Sequence, residues 1–460
     1  MSRRCLCTPS LPVLILQRTG GTFQHGVLGI VRSLGRLGVR VHIVHDDPRT
    51  PASASRYCRG GILECPADAP DEVVLERLLE FGRRHGPAIL IATDDDSALL
   101  VEAHAAELRS SFRFPGQPPG LAEALSNKRE MARLCAEHDV PTPWTHAVRD
   151  RDDVVSLLPS VTFPVMVKSI DGARAFRRTG ERMRIARDAA ELARAYDELE
   201  DPELPNLLLQ EYIPGGPESV WMLNGYFDAD SECHVPVTGR KLRQLPPDTG
   251  VTTLGACVPE PDVEETTRRF MRRLGYRGVL DIGYRYDERD GRYKLLDVNP
   301  RVGATFRLFA CTGGMDVVRA LYLDLTGQPI PPSRPRWGRR WLVENFDASA
   351  SLSYRRDGRL TARRWLASLR GVHELSWFAA DDPAPFVRML LAYARRAPGR
   401  LRGRSSAPAE PAVQAAESAA PHFRPVDRDF AEPVYHGAGK EHIERDPSSR
   451  SLTERTGGRR

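Results

Sequence analysis

The chain has 460 residues, of which 41% are hydrophobic and 28% are charged, as is typical of a globular protein with about three domains and a sizeable core. No apolar run approaches the ~20 residues that cross a bilayer, so no membrane partner is expected. The net charge of +5 is small for this length and no long basic block occurs, so nucleic-acid binding is not favoured.

Lysine is scarce in this chain. The 66 basic residues include only five lysines, at positions 128, 168, 241, 294 and 440, and the rest are arginines. A lysine ammonium is a compact point charge, which the planar arginine fork does not replace. Each lysine in an ordered segment is therefore a candidate for a specific role. Lys294, which we place on an exposed strand face, and Lys440, near the end of the chain, are the expected exceptions.

The cysteines and the start of the chain indicate where the protein works. The eight cysteines are scattered and form no C-x-x-C pair, as in a reducing compartment, so we expect a cytoplasmic protein. The apolar run at residues 11–16 is short, contains Pro12 and leads into a glycine turn. We interpret it as a first strand rather than a signal peptide.

The first part of the chain alternates between strand and helix patterns. Strands are predicted at 12–17, 39–44 and 88–92, and helices at 28–37, 71–81 and 94–108. This alternation predicts a doubly wound parallel sheet in an N-terminal α/β domain at residues 1–118. Glycines 20, 21, 26 and 29 do not fit G-x-G-x-x-G, so a tight turn or substrate-facing loop is expected there. The acidic residues 94–96 with Ser97 are predicted to cap a helix rather than bind a metal.

The pattern changes after about residue 119. Helices are predicted at 121–138, 186–199 and 262–274, and strands at 162–168, 207–213, 219–227, 233–239, 279–286 and 293–298. An α+β extension follows at 331–400. The tail at 401–460 is rich in Ala, Pro, Ser, Arg and Glu and is predicted to be disordered.

A lysine at the end of a buried strand is the first candidate for chemistry. Lys168 follows Val-Met-Val, so a stiff strand holds its ammonium at the sheet edge, where a polyanion could lie against it. No partner carboxylate is evident nearby in the sequence. Gly172 and Gly180 bracket an arginine-rich loop that could close over phosphates, although by itself this loop is equally typical of a solvated basic hairpin.

Oxygen-bearing side chains on two neighbouring strands form the second group. Asp297 and Asn299 have period-two spacing and leave the same face of one strand, and Asp281 on the hairpin partner can project beside them. Three hard oxygen donors suit Mg²⁺, which takes its other ligands from phosphate and water. Pro300 ends the strand and directs Arg301 out of the same edge.

A strand that ends in a proline–glycine turn lies between these groups. Residues 209–213 read Leu-Gln-Glu-Tyr-Ile and are followed by Pro-Gly-Gly-Pro and Glu218. Backbone groups in such an apolar slot can recognise an adenine edge, and Glu218 is placed to accept hydrogen bonds from ribose hydroxyls.

Taken in this order, the residues resemble the ATP-grasp superfamily over about residues 12–325, in particular its predicted bacterial carboxylate–amine ligases. The resemblance implies an ATP-grasp domain at 119–330, with a small lobe at about 119–210 and a large lobe at about 211–330. It also implies roles for single residues: Lys128 and Lys168 on phosphates, Gln210, Glu211 and Ile213 at the adenine, Glu218 at the ribose, and Asp281, Asp297 and Asn299 on the metal.

The sequence departs from the family pattern at the metal positions. The final metal carboxylate is usually glutamate, and here it is Asp297, one methylene shorter. The first ligand position aligns more naturally with Gly283 than with Asp281, so Asp281 serves only if its strand presents it on the same face. These changes leave ATP binding expected and two-metal catalysis open.

The resemblance implies an ATP-dependent ligase that uses ATP and Mg²⁺ (or Mn²⁺). A small-molecule carboxylate would attack the γ-phosphate, and an amine would capture the acylphosphate. Lys241 and Arg301 would stabilise the transferring phosphoryl group or the substrate carboxylate. Two alternatives stay open: a nucleotide-binding pseudoenzyme or regulatory module, and another ATP-grasp enzyme such as a kinase or a carboxylase subunit. A homodimer is compatible with each of them.

Overall fold

The computed structural model describes residues 8–18, 24–170 and 172–402. Within these residues the strands form three sheets. The glycines at 20 and 21 and almost all of the predicted tail lie outside the described residues. No described helix is long and apolar enough to cross a membrane.

The N-terminal domain has the predicted doubly wound architecture. Its parallel sheet has the order β3-β2-β1-β4-β5. Strands β1 and β4 are almost continuously apolar and buried, as expected for a parallel sheet covered on both faces. The elements are β1 (Val13–Leu16), α1 (His25–Gly35), β2 (Val41–His45), β3 (Gly61–Glu64), α2 (Asp71–His85), β4 (Ala88–Ala92), α3 (Asp95–Ala103), α4 (Ala105–Leu108) and β5 (Phe112–Arg113).

The small lobe is built on an antiparallel sheet of order β6-β9-β7-β8. Its core consists of apolar residues from β7, β9 and α9, such as Val167, Leu192 and Leu209. The elements of this part of the chain are α5 (Leu121–Ser126), α6 (Lys128–Glu137), β6 (Thr145–Val148), α7 (Arg151–Leu157), β7 (Val165–Ser169), α8 (Gly172–Thr179), β8 (Met183–Ala186), α9 (Ala189–Leu199) and β9 (Leu207–Glu211). The buried apolar residues of α5 and α6 pack into the core of the large lobe rather than that of the small lobe.

The large lobe and the C-terminal extension share one sheet, of order β14-β13-β10-β11-β12-β15-β16. All of its pairings are antiparallel except the last, between β15 and β16. The elements are β10 (Val220–Phe227), β11 (Cys233–Leu245), β12 (Val251–Cys257), α10 (Pro261–Arg273), β13 (Gly278–Asp287), β14 (Arg292–Asn299), α11 (Val317–Leu325), β15 (Arg340–Leu342), α12 (Glu344–Arg356), α13 (Ala362–Ser368), β16 (Val372–Leu375) and α14 (Ala384–Arg402).

In the small-lobe part of the chain two predicted elements differ from the observed ones, and in the N-terminal domain the helix predicted at 94–108 is divided into α3 and α4. The helix expected at 121–138 is two helices, α5 and α6, because Asn127 is extended (φ −80°, ψ 117°) and its side chain accepts from the backbone of Arg129 and Glu130. The arginine-rich loop expected between Gly172 and Gly180 is mostly the helix α8. The first difference places Lys128 at the first position of a helix.

Helix α1 joins the N-terminal domain to the large lobe. Its residues from Gly26 to Gly35 are all buried. A Cβ at Gly29 would lie 2.9 Å from atoms of Phe306 and Arg307, so the glycine permits the close approach. One apolar core therefore runs from β1 and α1 through the large lobe into the extension.

Candidate active site

Two of the scarce lysines, Lys128 and Lys168, lie near each other in the predicted nucleotide cleft between the small and large lobes. Lys168, on β7, donates from Nζ to Gln210 Oε1 at 3.0 Å. Burial and the nearby positive charge of Lys128 lower the pKa of Lys168 to about 7, although the negative charge of Asp297 acts in the opposite direction. Among the described residues no carboxylate oxygen lies within 4.0 Å of its ammonium, which is therefore desolvated without an ion-pair partner. Such a group favours an anionic ligand.

Strand β9, which carries Gln210 and Glu211 of the predicted adenine segment, is tied to strand β6. Gln210 on β9 is 5% exposed, and its Nε2 donates to Thr145 on β6 at 3.1 Å. Ile213 is buried, whereas Glu218, in the turn before β10, is exposed. The segment predicted to contact adenine is thus anchored at Gln210 and has a buried apolar side chain at Ile213. The carboxylate of Glu218, predicted to contact the ribose, is accessible.

Asp297 and Asn299 lie side by side at the end of β14. Asn299 Nδ2 is 3.4 Å from Asp297 Oδ2, as expected from their spacing. Asp297 is the register partner of Gly283 on β13, where a Cβ would come within 2.3 Å of Asp297 Oδ1. Gly283, at which the sequence departs from the family pattern, therefore leaves room for the carboxylate of Asp297.

Asp281 is the register partner of Asn299 and lies beside it. One of its oxygens accepts from Asn224 Nδ2 on β10 at 2.7 Å, and the other is 3.7 Å from the guanidinium of Arg301. Strand β13 therefore presents Asp281 beside Asn299 and Asp297, as expected. However, both carboxylate oxygens of Asp281 already contact other side chains, those of Asn224 and Arg301.

Arg301 is buried and links two domains. Its Nε donates to Asp95 at the start of α3 at 3.0 Å, and its Nη2 donates to Asn299 Oδ1 at 3.1 Å. The acidic run at 94–96 does start a helix as predicted, since Asp94 accepts from the amide of Ser97 at 2.8 Å. The contact of Asp95 with Arg301, 206 positions away, has no signal in the local sequence.

Lys241 lies on β11, where its Nζ donates to the carbonyl oxygen of Gly250 at 2.8 Å. Gly250 ends the turn between β11 and β12, so the contact ties the lysine to that hairpin.

The expectation that Lys294 lies on an exposed strand face is wrong. Lys294 is 9% exposed, and its Nζ lies 2.7 Å from Asp287 and 3.2 Å from Glu211. Arg289 also contacts both carboxylates, and its hydrogen bond is the largest of the effects that lower the pKa of Asp287. These four residues form an ion-pair cluster between β9 and the β13–β14 hairpin. It engages the side chain of Glu211, one of the predicted adenine residues.

Three of the arginines around α8 are engaged within the small lobe. Arg174 pairs with Asp201 at 2.6 Å, Arg178 donates to backbone carbonyls at the end of α9, and Arg184 pairs with Glu181 and Glu198. These contacts fix the outer face of the lobe.

Asp297 and Asn299 suit a divalent cation as a pair of hard oxygen donors. Among the described residues, no cluster of three His, Cys, Asp or Glu side chains could hold a metal by itself. A cation here would therefore depend on the Asn299 amide and on oxygens from a bound nucleotide, as Mg²⁺ commonly does.

Comparisons with known proteins find similar sequences and similar folds. No family model matches the chain. The D-aspartate ligase of Enterococcus faecium is 27% identical over 316 residues, which cover 65% of this chain and 74% of that protein.

Solved structures resemble the fold at low identity. The L-amino acid ligase of Bacillus licheniformis has a TM-score of 0.54 and 14% identity, covering 72% of this chain and 78% of that one. The biotin carboxylase domain dimer of Hydrogenobacter thermophilus 2-oxoglutarate carboxylase, in complex with MgADP, has a TM-score of 0.53 and 15% identity, covering 73% and 74%. In sequence and in fold the chain is therefore similar to ATP-grasp carboxylate–amine ligases.

Proposed function

We propose that the protein is an ATP-dependent ligase that activates a small-molecule carboxylate as an acylphosphate and joins it to an amine. The observation that carries this proposal is the desolvated ammonium of Lys168, which lies near Lys128 and Asp297 and has no carboxylate partner within the described residues. Phosphoryl transfer requires positive charges that contact the phosphates and a carboxylate that can hold Mg²⁺, and these are the groups present here. The relatives favour a ligase over a nucleotide-binding module or a kinase.

The reaction has two steps. A carboxylate oxygen of the first substrate attacks the γ-phosphorus of ATP, and the bond to the bridging oxygen breaks so that ADP leaves. The amine nitrogen then attacks the acyl carbon, loses a proton, and expels inorganic phosphate. Both steps depend on positioning and charge neutralisation, so no protein nucleophile is required.

Each site residue has a proposed role. Lys128 and Lys168 hold phosphate oxygens, the backbone from Gln210 to Ile213 with the Glu211 carbonyl contacts adenine, and Glu218 contacts the ribose. Asp297 and Asn299 would hold Mg²⁺, which supplies charge neutralisation at the phosphates when it is bound.

Arg301, Asp281 and Lys241 already make polar contacts with other residues, which limits the roles that each can have. Because Arg301 donates to Asn299, we propose that it positions this amide, and its direct contact with the phosphoryl group stays a prediction. Asp281 stays a predicted metal ligand that would have to exchange its contacts with Asn224 and Arg301. Lys241 stays a predicted phosphoryl or carboxylate contact, which it would make by leaving the Gly250 carbonyl.

The test measures the release of ADP and phosphate with pooled amino acids and carboxylates, beginning with D-aspartate because of the relative named above. We expect release that depends on both an amine and a carboxylate. Binding of MgADP without stimulation by any pool would indicate a nucleotide-binding module. Phosphate that stays on the product would indicate a kinase. A homodimer stays a prediction, measured by light scattering in the same experiments.

Lys168→Ala tests the site assignment. We expect at least about tenfold weaker MgADP binding, since a desolvated charge–phosphate contact is lost, with an unchanged melting temperature without nucleotide. Arg83→Ala removes one exposed positive charge from α2 and serves as the matched control. Equal affinity of the Lys168→Ala variant and the wild type would contradict the assignment.

A further inference from the structure

A cavity of about 190 Å³ lies between the N-terminal domain and the large lobe. One wall comes from β4, α3 and α4, including Ile91, Val101 and Ala105. The opposite wall comes from the start of β13 and from residues 300–302, directly after Asn299. The cavity therefore adjoins the predicted metal strand from outside the nucleotide cleft.

The size and walls of the cavity favour a small apolar ligand. Apolar residues make up most of the lining. The volume is below the roughly 300–1,000 Å³ of pockets for drug-sized molecules, and apolar cavities of about 150 Å³ can hold benzene. One aromatic ring or a short branched chain would fit these dimensions.

The charges at the cavity favour an anion. Glu102 accepts from the amides of Ala122 and Glu123 at 3.1 and 3.2 Å, so its carboxylate is used at the start of α5. Arg301 is engaged with Asp95 and Asn299. Arg109 and Arg277 also line the cavity, and neither forms an ion pair within the described part of the chain.

Arg109 contacts an aromatic ring, and this contact leaves its positive charge available to a ligand. Its guanidinium lies 4.7 Å from the centre of the Phe114 ring, a cation–π contact with another lining residue. A carboxylate could accept from it while an apolar body contacts Phe114 and Ala105. The cavity thus offers a cationic group beside an apolar wall.

Two structural connections lead from the cavity to the nucleotide cleft. Arg301 lines the cavity and donates to Asn299 at 3.1 Å. Glu102 lines it too and contacts the start of α5, which ends at Asn127 immediately before Lys128. A ligand that shifts either residue would act on a proposed metal ligand or on a phosphate lysine.

We propose that this cavity is a second ligand site, which takes a small apolar molecule bearing one carboxylate and whose occupancy changes nucleotide affinity. The binding itself does not depend on the proposed ligase function, because it is measured without turnover. The coupling rests on the nucleotide site of that proposal and is measured separately.

The test uses benzoate as the probe and benzyl alcohol as its uncharged counterpart, with binding followed by NMR on the full chain. We expect saturable benzoate binding that is about tenfold weaker in Arg109→Gln, and weaker binding of benzyl alcohol. Ala105→Phe fills the cavity and should abolish binding. Arg83→Gln, on the exposed face of α2, is the control for loss of charge and should bind benzoate like the wild type.

The outcomes separate the parts of the proposal. Absence of saturable binding, or binding that Arg109→Gln and Ala105→Phe both leave unchanged, would overturn the site. The second result would mean that benzoate occupies the cleft for the substrate carboxylate. If Ala105→Phe does not fold, Arg109→Gln decides alone. For the coupling we expect saturating benzoate to change the MgADP affinity at least about fivefold, and an unchanged affinity would overturn it.

Discussion

Lys168 combines burial with a positively charged neighbour, and both effects favour its neutral form. A bound polyphosphate has the opposite effect, because it stabilises the ammonium. Nucleotide binding above pH 7 should therefore take up a proton at this side chain.

This gives a pH dependence with a definite sign. Since the pKa of Lys168 in the free protein is about 7, the MgADP affinity should be greatest below pH 7 and fall as the pH rises. The fall should reach up to about tenfold per pH unit between pH 7.5 and 9, where the nucleotide phosphates are already ionised. Isothermal titration calorimetry in buffers of different ionisation enthalpy measures both the affinity and the proton uptake.

Lys168→Arg is the matched variant, because arginine keeps its charge throughout this range. Its MgADP affinity should vary little with pH, whatever its absolute value. A wild-type affinity that does not change with pH, or an equal slope in the variant, would show that another group takes up the proton.

At the scale of elements, the ion-pair cluster of Glu211, Asp287, Arg289 and Lys294 connects the small-lobe strand β9 to the β13–β14 hairpin of the large lobe. Asp287 is fully buried, and Lys294 nearly so. Breaking a buried pair leaves an uncompensated charge, which costs more than losing an exposed pair. The cluster therefore holds the two lobes together beside the predicted adenine segment.

Lys294→Met tests this role. The variant keeps an apolar stem of similar length and leaves Asp287 and Glu211 to share Arg289, so we expect the predicted adenine segment to be displaced. MgADP binding should weaken about threefold to tenfold, and the melting temperature should fall. Arg292→Met changes an exposed residue two positions earlier on β14 and should leave both quantities unchanged. Equal behaviour of the two variants would contradict a positioning role for Lys294.

Local patterns predicted many of the elements but not strands β3, β6, β8 and β12, and contacts between residues distant in sequence were less accessible still. Hydrophobic periodicity identified strands β7 and β14, whose ends carry Lys168 and Asn299, because each lies in a strongly patterned segment. The break at Asn127 has a local signal, since asparagine is a favoured helix cap. Lys294 has a partner close in sequence, Asp287, but its burial was not predicted, because the strand that covers it carries Glu211, 83 positions away.

At the scale of the whole molecule, Arg32 connects the N-terminal domain to the extension. Its Nε donates to Asp382 at 2.9 Å, and its Nη2 donates to the carbonyls of Trp377 and Asp382 at 2.7 and 2.8 Å. Asp382 also accepts from Ser55 at 2.7 Å. Both side chains of the pair are at most 5% exposed. The extension is thus fastened to the face of α1 that also packs on the large lobe.

The neighbouring Asp381 makes a different kind of contact. It pairs with Arg36 at 2.8 Å, but its side chain is 45% exposed. The hydrogen bond from Arg36 is the largest effect on the pKa of Asp381, which is lowered to about 2. Exposed pairs of this kind contribute about 0.2–1 kcal/mol at most, because solvent and salt screen them. Asp381 and Asp382 are adjacent and each pairs with an arginine of α1 or its C-terminal cap, but the first pair is exposed and the second is buried.

The pair of variants Asp382→Asn and Asp381→Asn uses this difference. Asp382→Asn keeps the shape of the side chain but leaves the buried Arg32 guanidinium without its counter-charge, so the free energy of unfolding should fall by about 3–5 kcal/mol. Asp381→Asn should cost less than about 1 kcal/mol. Urea unfolding followed by tryptophan fluorescence measures both, since Trp341 and Trp377 are buried in the extension. If the two variants unfold at the same urea concentration, the extension is held by its apolar core and the Arg32–Asp382 pair contributes little.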